Sequence, residues 1–128
     1  MMQGNSKKIL VVEDDRVLRR VIIDNLKVEG FAVFEAEDGV QGLSVALAEH
    51  PDLMLLDVVM PRLDGISMLE KLREDAWGKT AQVIMLTNLS DTEKIAKVAE
   101  KGVHDYLVKA DWDIGGIIDK VKEKIRQM

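Results

Sequence analysis

Short, solidly apolar runs alternate with stretches of helical periodicity along this chain, and that alternation restricts the fold more than any other feature. The runs are Ile9–Val12, Phe31–Phe34, Leu53–Leu56, Val83–Leu86 and Tyr106–Val108. Each is too short for a helix and reads as a strand. Between them, apolar residues recur at helical spacing: Val17, Leu18, Val21, Ile22 and Leu26 up to Gly30, then Leu43, Ala46 and Leu47 before Pro51. Ile66, Leu69 and Leu72 mark a third helix, a fourth ends at Gly102, and Ile114, Ile117, Ile118, Val121 and Ile125 give the last one a single apolar face. Asp38 with Gln41, and Ser90 with Glu93, have capping-box spacing, and Asp64 is placed to cap the third helix.

Strands alternating with helices predict an α/β fold built on a parallel sheet. Runs that are apolar at every position, rather than at alternate ones, imply helices on both faces of that sheet. Right-handed crossovers leave few ways to connect it. The expected architecture is a doubly wound five-stranded parallel sheet, flavodoxin-like, in the order 2-1-3-4-5. That order is taken from known doubly wound sheets and not from the residues. A length of 128 residues without repeat or linker fits one domain over 1–128, with its core from about 7 to 126. A net charge of −5 gives no electrostatic reason for direct nucleic-acid binding or attraction to an anionic membrane. There is no cysteine, which fits a reducing compartment. Met1–Lys8 is too polar for a signal peptide and no apolar run could span a bilayer, so membrane insertion is not expected and a cytoplasmic location is.

The chemistry follows the strands. The first runs into Glu13, Asp14 and Asp15, the third into Asp57, the fourth into Thr87 and the fifth into Lys109. Ligands of an open parallel sheet bind at the carboxyl ends of its strands, where the strand order reverses. Glu13, Asp14 and Asp57 are therefore expected to meet between strands 1 and 3, with Thr87 and Lys109 along the same rim. Crowded carboxylates either keep protons or recruit a cation, and an all-oxygen donor set suits Mg²⁺. A metal, a lysine and a hydroxyl around one carboxylate would make a phosphoryl-transfer site with a carboxylate nucleophile. Taken singly, these residues have plainer readings. Asp14, Asp15 or Asp57 could each be a cap or turn residue, Lys109 a solvated cation and Tyr106 a half-buried edge residue. His50 and His104 lack a second ligand at metal-binding spacing and read as surface residues.

The stretches ILVVEDDRVLRR, LMLLDVVMPRLDG, VIMLT and DYLVK resemble the receiver domain of bacterial two-component response regulators, from about Lys7 to Arg126. The chain is similar to chemotaxis-type single-domain receivers. The resemblance implies that Asp57 is the phosphoacceptor. It implies that Glu13, Asp14, Asp57 and the backbone carbonyl of Val59 hold Mg²⁺, and that Thr87 and Lys109 contact phosphoryl oxygens. Thr87 and Tyr106 match the family's switch pair, and Met60, Pro61 and Gly65 its site-shaping loop. The implied partners are a sensor histidine kinase or histidine phosphotransfer protein and, through the face of helix 4, strand 5 and helix 5, a downstream effector. The chain would then assist its own phosphorylation and dephosphorylation without being a turnover enzyme. It departs from the family at Asn88, where a small residue is usual, and at Ala110, where proline is usual. Val59 and Leu89, which flank the phosphoryl path, are both apolar. Two other functions fit parts of the pattern. One is a Mg²⁺-dependent phosphohydrolase with an aspartate nucleophile, although Val59 stands where its general acid would be. The other is a pseudo-receiver that binds partners without phosphate. A flavin binder fits less well, because acids follow the first strand where a phosphate-cradling loop is needed.

Overall fold

The computed structural model describes residues 7–60, 62–87, 92–103 and 105–128. The strands are β1 (Lys8–Val12), β2 (Ala32–Ala36), β3 (Leu53–Asp57), β4 (Val83–Thr87) and β5 (Asp105–Val108). The helices are α1 (Arg16–Val28), α2 (Gly39–Glu49), α3 (Gly65–Glu74), α4 (Thr92–Glu100) and α5 (Ile114–Arg126). All neighbouring strands pair in parallel, in the order β2-β1-β3-β4-β5. The expected doubly wound sheet is therefore the observed one.

Strand side chains point alternately to opposite faces, so each strand feeds two cores. Ile9, Val11, Leu53, Leu55, Ile84 and Leu86 pack with Ile22, Ile23 and Leu26 of α1 and Ile117, Ile118 and Val121 of α5. Leu10, Val12, Met54, Leu56, Val83 and Met85 pack on the other face with Ala46 of α2 and Met68, Leu69 and Leu72 of α3. Every residue of β3 and β4 is buried, whereas the edge strands β2 and β5 are partly open. Truncating a central residue such as Leu55 to alanine is expected to cost about 2–5 kcal/mol.

Local chemistry sets the helix ends. Asp15 accepts from the Val17 and Leu18 amides and caps α1. Asp38 caps α2 through the Gln41 amide, and Asp64 caps α3 through that of Ser67. The Gln41 side-chain oxygen accepts from the Glu37 amide rather than from that of the cap residue itself. Asp113 caps α5, a role the sequence reading left unassigned. Helix α2 ends on His50, whose positive φ of 47° turns the chain toward Pro51. His50 is exposed as expected, and it stacks on Trp77 with ring centroids 4.4 Å apart. The expectations placed on Pro61, Asn88, Leu89, Ser90 and His104 lie outside the described residues.

Candidate functional site

The carboxyl ends of β1, β3, β4 and β5 lie along one rim of the sheet, and the polar residues that follow the strands collect there. Glu13 extends the ladder one step past β1, its amide donating to the Ala36 carbonyl at 3.1 Å. The Val58 amide does the same past β3, donating to the Leu86 carbonyl at 3.0 Å. Asp57 therefore ends a strand paired on both sides, which fixes its backbone. The α1 cap takes Asp15 out of the cluster and leaves Glu13 and Asp14 facing it.

Carboxylate oxygens of Glu13, Asp14 and Asp57 all lie within 4.8 Å of one another. Glu13 is fully buried and Asp57 only 3% exposed, while Asp14 is open to solvent. Lys109 follows β5 and brings its ammonium nitrogen 2.6 Å from Glu13 Oε1 and 3.3 Å from Asp57 Oδ2. Glu13 Oε1 is buried, and the Lys109 ammonium is its charge-assisted partner. Glu13 Oε2 accepts from the Asp15 amide at 3.0 Å.

Burial and the neighbouring Glu13 carboxylate push the Asp57 carboxyl from 3.8 up to about 8, against the opposing pull of Lys109. Burial works against the Lys109 charge, but Glu13 and Asp57 outweigh it and hold the ammonium above its ordinary value. The cluster thus carries more negative charge than its lysine balances. It is an anionic, all-oxygen donor set with one member open to solvent, and it fits a hard divalent cation.

Thr87 ends β4, one residue beyond the Asp57–Leu86 register pair, and is buried. Val59 sits in the loop after β3 with its side chain exposed. Tyr106 pairs in register with Met85 and is 41% exposed, so its ring is turned out toward solvent. Lys109 and Ala110 enter a short 3-10 turn, Lys109–Asp111.

Two further residues shape the site. Gly65 opens α3 against the end of β3: its amide donates to the Val58 carbonyl at 2.8 Å, and a Cβ there would lie 2.1 Å from the Asp57 carbonyl oxygen. The sequence places Gly65 in this loop but does not encode how close the approach is. Arg19 carries no motif signal in the sequence. Its guanidinium donates to the Glu13 carbonyl at 2.8 Å and to Glu35 Oε1 at 3.1 Å.

Residues 9–122 match the family model of the response regulator receiver domain. The probable transcriptional regulator ycf27 of Cyanophora paradoxa is 41% identical over 108 residues, which are 84% of this chain and 44% of that protein. The chain thus spans less than half the length of that relative. A CheY-like receiver domain protein from Methanospirillum hungatei superposes with a TM-score of 0.87 at 28% identity, over 96% of each chain. The Mn²⁺-bound form of response regulator Rcp1 superposes with a TM-score of 0.73 at 27% identity, over 80% of this chain and 81% of that one. Among the described residues, no helix is long and apolar enough to cross a membrane.

Proposed function

The chain belongs to the response regulator receiver domain family, a family of phosphorelay signalling modules, and from that membership we propose that Asp57 is its phosphoacceptor. The observation that carries this reading is the convergence of Glu13, Asp14 and Lys109 on one buried aspartate at the carboxyl rim of the sheet. Glu13, Asp14 and Asp57 would hold Mg²⁺, with the Val59 carbonyl as a further oxygen ligand. The Mn²⁺-bound state of the structural relative Rcp1 supports a divalent cation. When bound, the cation supplies charge neutralisation for the crowded carboxylates and for phosphoryl oxygens.

The chain's own residues account for the rest. An Asp57 carboxylate oxygen attacks the phosphorus of a phosphohistidine donor. A bond forms from that oxygen to phosphorus, the phosphorus–nitrogen bond breaks, and its electron pair leaves with the donor imidazole. Strand pairing on both sides of Asp57 keeps the nucleophile aimed, so little ordering remains to be done at reaction. Lys109 is tethered by Glu13 within reach of the new phosphoryl oxygens and pairs with them as a point charge. The Thr87 hydroxyl donates to the same group. Its inward shift vacates space into which the Tyr106 ring turns from its exposed position, and this alters the face of α4, β5 and α5. The donor is a sensor histidine kinase or histidine phosphotransfer protein, which places the chain in the cytoplasm. The recipient of the signal is an effector docking on that altered face. The chain assists gain and loss of its own phosphoryl group and is otherwise a signalling domain.

The test is phosphotransfer from a radiolabelled phosphohistidine donor domain. Label should reach the wild-type chain in Mg²⁺, and neither the EDTA-treated chain nor Asp57→Asn should take it up. Equal labelling of Asp57→Asn would remove Asp57 from the role.

A further inference from the structure

We infer that Arg19 is a positioning residue for the cation site, acting by clamping the Glu13–Asp14 peptide. The inference rests on the proposed reading of Glu13, Asp14 and Asp57 as the cation-binding cluster.

Glu13 and Asp14 are held very differently. The Glu13 main chain is fixed on one side by its amide bond to the Ala36 carbonyl. Its side chain is buried between the Asp15 amide and the Lys109 ammonium. Asp14 is exposed. The orientation of Asp14 therefore depends on the peptide plane that joins it to Glu13. That plane carries the Glu13 carbonyl, and Arg19 Nη1 donates to this oxygen at 2.8 Å. A peptide unit is rigid and planar, so fixing its carbonyl fixes where the Asp14 Cα begins.

The clamp is itself anchored. Arg19 lies in α1 one turn beyond the cap, its amide bonded to the Asp15 carbonyl at 2.9 Å. Its Nε donates to Glu35 on β2 at 3.1 Å, and the arginine side chain is only 12% exposed. The planar guanidinium makes both bonds at once, a geometry that a lysine ammonium reproduces poorly. The arrangement joins α1, the loop after β1 and β2 at the point where two proposed ligands leave the sheet. Residues that orient ligands in this way commonly change metal affinity by about 10–100-fold.

The sign of the effect separates positioning from charge. Removing a cation near a cation site strengthens binding on electrostatic grounds alone. Loss of the clamp weakens it. Mn²⁺ titration followed by electron paramagnetic resonance, on the full chain kept well below its unfolding temperature, distinguishes the two. Arg19→Met should bind Mn²⁺ about tenfold more weakly, and Arg19→Lys should fall between it and wild type. Arg20→Met, which removes an equal charge and the 3.6 Å pairing of Arg20 with Glu35 but leaves both Arg19 bonds in place, should match wild type or bind slightly more tightly. In the metal-free protein, ¹⁵N order parameters at Asp14 and Asp15 should fall in Arg19→Met and not in Arg20→Met. Unchanged or tighter Mn²⁺ binding by Arg19→Met overturns the inference, and so do unchanged order parameters. If wild type binds no Mn²⁺, the cation reading of the acidic cluster fails by itself, and the order parameters still decide whether the clamp exists.

Discussion

Lys109 reaches Glu13 before it reaches Asp57: its ammonium is 2.6 Å from one carboxylate and 3.3 Å from the other. The lysine is the counter-ion of a fully buried glutamate as well as a neighbour of the proposed phosphoacceptor. Removing one partner of a buried pair leaves the other charge uncompensated. Lys109→Met should therefore destabilise the metal-free chain by about 3 kcal/mol in urea unfolding at neutral pH. The folded state holds the Lys109 proton more tightly than the ordinary value of 10.5. The lysine's contribution is thus full below that pH and is lost as pH rises through the higher folded value, so the gap between variant and wild type should narrow there.

Asp57 has the opposite sense. Its carboxyl titrates near 8 in the folded chain against 3.8 ordinarily, so the folded state keeps a proton that the unfolded state releases. Its contribution to stability declines as pH rises from about 4 to about 8. Asp57→Asn does not titrate there. The variant should match wild type near pH 4, gain on it by up to about 1.4 kcal/mol per pH unit, and hold a lead of several kcal/mol above pH 8 in metal-free urea melts. A constant difference across that range would mean that Asp57 is not the strained member of the cluster.

Gly65 admits no side chain. A Cβ there would lie 2.1 Å from the Asp57 carbonyl oxygen, a backbone atom that cannot swing aside. Gly65→Ala must push α3 away from β3 or displace Asp57. It should cost about 3 kcal/mol in urea unfolding and shift the Asp57 and Val58 amide resonances. A variant as stable as wild type, with those resonances unmoved, would show that the loop yields freely.

The strands and most helix caps were legible because burial on both faces leaves continuous apolar runs, and because carboxylate caps sit at fixed offsets. The limits have physical causes. Phe31 reads as the first residue of the second strand, yet β2 begins at Ala32. Gly30, at a φ of 94°, ends α1, and the Phe31 amide turns back to the Leu26 carbonyl while its ring stays in the core. An apolar residue just after a glycine cap packs on its helix as readily as it starts a strand. The acids, Asp57, Thr87 and Lys109 were placed on one rim because strand ends are visible in sequence. Arg19 was not seen, because an arginine on a helix resembles any solvated cation until its acceptors are known. The partition of Lys109 between Glu13 and Asp57 depends on fractions of an ångström, which spacing does not encode.

Tyr106 is exposed while the buried Thr87 ends the adjacent strand. If the two form the switch, phosphorylation must be felt beyond the site. Amide resonances from Ser90 through Val121 should shift, and the Tyr106 ring should become less accessible to a soluble paramagnetic quencher. Tyr106→Ala should still accept a phosphoryl group while the shifts in α5 shrink. Shifts confined to residues beside Asp57 would remove the proposed route to the effector face.

The account stands on Asp57 as the single acceptor, and intact-mass spectrometry after treatment with acetyl phosphate and Mg²⁺ tests it directly. Wild type should gain the mass of one phosphoryl group, the gain should vanish when EDTA replaces Mg²⁺, and Asp57→Asn should gain nothing. A mass gain in Asp57→Asn equal to that of wild type, or none in wild type, would contradict it.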